Sequence, residues 1–129
     1  MGPGEPQTST GTSETEWILG KRFVRTTYSG KMGEETFTGY ATLGFNNATS
    51  EYQSVWMDEM STAMAMASGK REGDTLTMTG ETHVPSMGKV AFRDVWTKVG
   101  DDEYRMQEFW TMPGMGEMKV LEITYKRVP

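Results

Sequence analysis

The sequence predicts an all-β protein: an antiparallel up-and-down sheet of about nine strands that curls over to bury one face. Three observations lead there. Phe37, Gly39, Ala41, Leu43 and Phe45 alternate with Thr38, Tyr40, Thr42 and Gly44. That period of two lays the small and apolar side chains on one side of a strand. Turn residues then recur at short, regular intervals along the chain. Finally, helical periodicity is confined to one short stretch, residues 58–67.

Residues 1–11 read as a flexible lead-in, with Pro3 and Pro6 set against regular structure, and residues 12–129 as a single barrel domain. The expected strands are 12–19, 22–29, 35–45, 51–59, 63–70, 75–81, 89–99, 103–111 and 117–127. Leu19-Gly20-Lys21 is a tight reversal between the first two. Residues 29–33 form a glycine hairpin loop before the third. Asn46 and Asn47 accept the left-handed conformations that turns need. Residues 58–67 (DEMSTAMAMA) contain good helix formers, with Ser61 as a cap. Yet Met64 and Met66 alternate with Ala63, Ala65 and Ala67, which favours a strand over a helical turn. Glu72-Gly73-Asp74 and Gly100-Asp101-Asp102 are polar turns, and Pro85 and Pro113 fall in connections. Short connections join neighbours and give a meander. A sheet of this size avoids unpaired edges by closing, and Gly39, Gly44 and Gly69 suit the bends required. A two-sheet sandwich needs longer connections than these.

Composition narrows the function classes. There is no cysteine, so disulfides, thiolate nucleophiles and cysteine metal sites are excluded. The net charge is −5, with Lys and Arg scattered among acids, which argues against nucleic acid and anionic membrane as partners. No stretch approaches the ~20 apolar residues of a membrane-spanning helix, and the N-terminal residues lack the apolar core of a signal peptide. No glycine-rich phosphate cradle is present, and one histidine offers little to activate a hydroxyl nucleophile. No cofactor is expected. The twelve methionines include two clusters, Met57 to Met66 and Met112 to Met118. They read either as loose core filling or as a deformable ligand or partner surface.

The segments GTSETEWILGKRF (residues 11–23), the 37–45 strand, SVWMDEMST (54–62) and KVLEITYKR (119–127) together resemble the domain of unknown function 1579 family. This is a bacterial group whose members are similar to lipocalin-type, calycin-like β-barrels. The resemblance spans nearly the whole chain and rests on the overall pattern, not on one motif. It implies a lipocalin-like barrel and carries no established activity. Members open with a helix and a strand bearing a Gly-x-Trp motif, and this chain is expected to lack that portion. A missing first strand implies an open seam, which a second copy of the chain would cover, so a homodimer is expected.

Alternation places Tyr52, Ser54, Trp56, Asp58 and Met60 on one face, as it does Val90, Phe92, Asp94, Trp96 and Lys98, and Tyr104, Met106, Glu108, Trp110 and Met112. Each of these strands sets an acid two residues from a tryptophan. On the last strand, Val120, Glu122 and Thr124 compete with Leu121, Ile123 and Tyr125 for the interior. If the tryptophans look inward, Trp56, Asp58, Phe92, Asp94, Trp96, Met106, Glu108, Trp110 and Glu122 line a ligand site. Such a site suits a small apolar or amphipathic molecule with a cationic or hydroxyl-bearing head. Each acid is then expected to find an Arg, a Lys or a hydroxyl, with Arg25, Arg93 and Arg105 as partners. The competing reading is plain core packing with rim salt bridges. His83, beside Pro85, is expected in an exposed loop and is a poor haem ligand. A carboxylate pair among Asp58, Asp94, Glu108 and Glu122 would serve glycoside-type hydrolysis, but no catalytic or metal-binding residue is assigned. The expectation is therefore a ligand-binding barrel, then a packed assembly protein, with a carboxylate enzyme third.

Overall fold

The computed structural model describes residues 8–32 and 34–129. Among these residues the regular structure is nine strands: β1 (Gly11–Ile18), β2 (Phe23–Met32), β3 (Glu35–Asn46), β4 (Glu51–Asp58), β5 (Ala65–Glu72), β6 (Thr75–Val84), β7 (Gly88–Gly100), β8 (Glu103–Thr111) and β9 (Glu117–Lys126). They form one antiparallel sheet in chain order, curled into a half-barrel.

The bounds differ from those expected in a few informative places. Part of the expected lead-in, residues 1–7, lies outside the described residues, and Gly11 already pairs with Gly30 in β1. The expected loop at 29–33 is mostly strand, because β2 continues its register with β3 as far as Met32↔Glu35. Gly33 lies outside the described residues. The helical alternative at 58–67 is not adopted: the chain turns after Asp58 and re-enters the sheet at Ala65. His83 belongs to β6, opposite Lys89, and not to a loop, although its side chain is exposed.

The curl sets the core. Ala67, Met78, Val90, Phe92 and Met106 are the buried apolar residues. Leu43, Tyr52, Ala65, Leu76, Trp96 and Trp110 pack around Ala67, Met78 and Phe92. A side chain at Gly69 would run into the carbonyl oxygen of Thr77 on β6, so this strand position needs glycine for the sheet to bend so tightly.

β1 and β9 each pair on one side only. An antiparallel meander with an odd number of strands leaves its first and last strands running the same way, so they cannot extend the antiparallel ladder by pairing with each other. The gap is spanned by side chains: the Tyr28 ring on β2 lies 6.5 Å from Tyr125 on β9, edge to face.

Candidate functional site

Strand pairing decides which faces look inward. Directly opposed residues share a face. The buried Phe92 sits between Gly80 and Trp110, and Trp96 between Leu76 and Met106. Trp56 is flanked by Ala41 and Ala65, and Tyr28 by Ser13 and Gly39. The concave face therefore carries Trp56, Asp58, Phe92, Asp94, Trp96, Met106, Glu108 and Trp110.

Glu122 is the exception and corrects the expected set. Val120 is an extra residue in β9, between Leu121 opposite Glu108 and Lys119 opposite Phe109. This bulge turns Leu121, Ile123 and Tyr125 inward and Glu122 outward, opposite Gln107. There Glu122 accepts hydrogen bonds from Lys119 Nζ at 2.7 Å and Gln107 Nε2 at 3.1 Å. These bonds hold its carboxyl below the usual range.

The inward acids have two different environments. Asp58 is satisfied: Trp56 Nε1 donates to its Oδ2 at 2.6 Å, and the Met60 amide donates to its Oδ1 at 2.8 Å. The Trp56 ring lies directly over Gly39, where any side chain would collide with it. Asp58 thus orients a tryptophan and closes the turn after β4.

Asp94 has no such partner. Its Oδ1 is buried and accepts no hydrogen bond from the protein. Met78 lies opposite on β6 and Glu108 opposite on β8. The expected arginine faces the other way. Arg93 lies on the outer face, donates to both Glu117 oxygens at 2.7 and 3.0 Å, and stacks 4.4 Å over the Phe109 ring. Burial, then sharing of a proton with Glu108 and repulsion from its charge, pushes the Asp94 carboxyl up to about 9. Asp94 is therefore protonated at neutral pH.

Around this pair runs an aromatic wall. Tyr104 and Tyr125 stack at 4.8 Å, and Trp96 lies 5.8 Å from Tyr125 and 5.9 Å from Tyr104. Tyr125 continues through Tyr28 to Trp56 and Phe37, each step between 6.0 and 6.5 Å. Burial raises both the Tyr104 and Tyr125 hydroxyls, and at Tyr125 the nearby Tyr28, Tyr104 and Asp94 add to it. Sequence reasoning left Tyr28, Tyr104 and Tyr125 out of the candidate set, although it drew Tyr104 on the same β8 face as Met106, Glu108 and Trp110. The signal for Tyr28 was its place opposite Gly39 once the β2–β3 hairpin register is counted. The β9 bulge that turns Tyr125 inward has no comparable signal.

The methionine clusters do not fill the core. Met60, Met64, Met66 and Met115 are more than half exposed, and among the described residues the buried methionines are Met78 and Met106. An open groove of about 700 Å³ runs between the β4–β5 and β6–β7 connections, lined by Met60, Ala63, Met64, His83, Val84 and Pro85. Among the described residues, no three of His, Asp and Glu converge as metal ligands do.

No curated protein matches this chain. The sheet that builds the aromatic face, Gly11 to Lys126, lies wholly within residues 1–127, the stretch matched by a family model described as protein of unknown function (DUF1579). The half-barrel with its inward acids is thus one member's version of that pattern, and the chain belongs to the domain of unknown function 1579 family.

Proposed function

We propose that the protein is a binding module. It takes a small amphipathic molecule on its concave face, with a cationic or hydroxyl-bearing head at Asp94 and Glu108 and an apolar body along Trp96, Tyr104 and Tyr125. Asp94 Oδ1 carries this reading. A buried polar atom without a partner costs about 1–3 kcal/mol, and a donor from a bound molecule would recover that cost. A cationic head would also meet aromatic ring faces, whose quadrupoles attract positive charge. Its arrival would favour loss of the Asp94 proton, since an opposite charge at this range stabilises the ionised carboxylate.

The test combines native mass spectrometry of freshly purified protein with tryptophan-fluorescence titration by hexylammonium. A saturable change is expected in the wild type, at least ~10-fold weaker in Asp94→Asn, a change equivalent to about 1.4 kcal/mol. Flat titrations, or equal binding by both proteins, would refute the reading.

A second reading, assembly, is favoured by one quantity. The chain exposes 9647 Å², whereas a compact monomer of its mass exposes about 6,900 Å². Setting aside the ~1,000 Å² that residues 1–7 could contribute at most leaves an excess of about 1,800 Å². An obligate homodimer covers about 1,000–2,500 Å² per subunit. The exposed Trp17 on β1 and Leu121 on β9 lie on the inner face beside the open seam. A second copy is the proposed cover, and light scattering should return twice the chain mass. A monomer at ~100 μM would remove this reading.

A further inference from the structure

Methionine is distributed unevenly in this fold. In an up-and-down meander the β4–β5, β6–β7 and β8–β9 connections share one end of the sheet. Both methionine clusters and Met87 sit in or beside those connections. Met60, Met64 and Met115 are 60%, 56% and 55% exposed. A buried methionine contributes about 1.5–3 kcal/mol to folding, and these side chains forgo most of that.

The β8–β9 connection gathers three thioethers on one hairpin. The Met115 amide donates to the Met112 carbonyl at 3.0 Å, closing a turn through Pro113 and Gly114. Gly114 has φ 76°. Proline followed by a left-handed glycine is the type II arrangement, which holds the outer Cα atoms within about 7 Å. Met118 stands opposite Trp110, and Met112 follows Trp110 by two residues. Met112 lies one residue past the last cross-strand pair, Thr111↔Glu117, so both side chains leave the same end of the ladder.

A thioether is a soft, neutral donor with no proton to release. Soft sulfur ligands select Cu(I), whereas carboxylates and carbonyls suit hard cations. The chain has no cysteine to compete as a soft ligand. We propose that the β8–β9 hairpin binds a soft monovalent metal ion, Cu(I), through the thioethers of Met112, Met115 and Met118. Binding changes no oxidation state and displaces no proton, so affinity is flat with pH. This site is separate from Asp94 and Glu108 and does not depend on a ligand there.

The test uses the full chain. Cu(I) affinity is measured without oxygen against bicinchoninate, and Ag(I) serves as a redox-inert probe in native mass spectrometry. One ion per chain is expected, with equal affinity at about pH 5.5 and about pH 7.5, a span over which imidazole ligands would titrate. The triple variant Met112→Leu, Met115→Leu, Met118→Leu keeps apolar volume, so its circular dichroism and urea midpoint should hold while affinity falls at least ~10-fold. Three results would overturn the site: no metal retained by the wild type, undiminished binding by the triple variant, or affinity that collapses at the lower pH. Loss of the metal in Met60→Leu, Met64→Leu, with the hairpin intact, would equally overturn it by assigning the ion to the other cluster.

Discussion

Asp94→Asn should make the protein more stable at neutral pH and flatten the pH dependence of its stability. In the folded state the Asp94 carboxyl is pushed up to about 9 by burial first and by Glu108 second. In the unfolded chain it titrates at about 3.9. Between roughly pH 5 and 8 the folded protein therefore holds one proton that the unfolded chain has already released. The sign follows: stability is fully present below the unfolded value and is lost as pH rises towards the folded one. One proton of difference gives a slope of at most about 1.4 kcal/mol per pH unit. The ceiling across that window is about 4 kcal/mol, a large part of the 5–15 kcal/mol typical of a domain. The other shifted carboxyls do not compete there. Glu117 and Glu122 are held low by Arg93 and Lys119, so they act at acid pH, and burial pushes the Tyr104 and Tyr125 hydroxyls up, out of the window. Asparagine keeps the shape, carries no charge, and can donate to Glu108. Urea unfolding followed by tryptophan fluorescence at four pH values, with equal m-values, reads the effect directly. The wild-type midpoint should fall steadily with rising pH while the variant's stays nearly level. Parallel slopes in the two proteins would show that Asp94 is ionised when folded and refute the reasoning.

Three further outcomes test the concave face and its turns. Asp58→Ala removes the acceptor for Trp56 Nε1 and for the Met60 amide and should cost about 1–2 kcal/mol, with a change in tryptophan emission; an unchanged spectrum would mean that Trp56 is held by packing alone. Gly39→Ala places a methyl group against the Trp56 ring and should cost about 1–3 kcal/mol, measurable as a lower urea midpoint, whereas a neutral result would show that the ring can swing away. Lys21 has φ 62° in the β1–β2 turn, so Lys21→Gly should raise the melting midpoint through relief of about 1 kcal/mol of left-handed strain; a loss of stability would mean that the gain in unfolded-chain entropy outweighs it.

Much of this molecule follows from local rules. Alternation and turn residues define every strand, because a period of two is a property of an extended backbone and needs no partner. The same period puts Phe92, Asp94 and Trp96 on one side of β7, and Met106, Glu108 and Trp110 on one side of β8. What the local pattern leaves open is anything set by a neighbouring strand. Asp58 and Asp94 have the same spacing to a tryptophan, yet Asp58 is satisfied by Trp56 and Asp94 is left beside another acid. Their difference comes from cross-strand register. One extra residue at Val120 sends Glu122 outward and Tyr125 inward, and a bulge is decided by the fit of the whole ladder. The open seam is likewise a product of the curl of the whole sheet. Local chemistry determined the strands and, on all but β9, which side chains share a face; only long-range pairing decided which face of β9 looks inward and which acid is left beside another acid, because desolvation depends on what the rest of the chain packs around it.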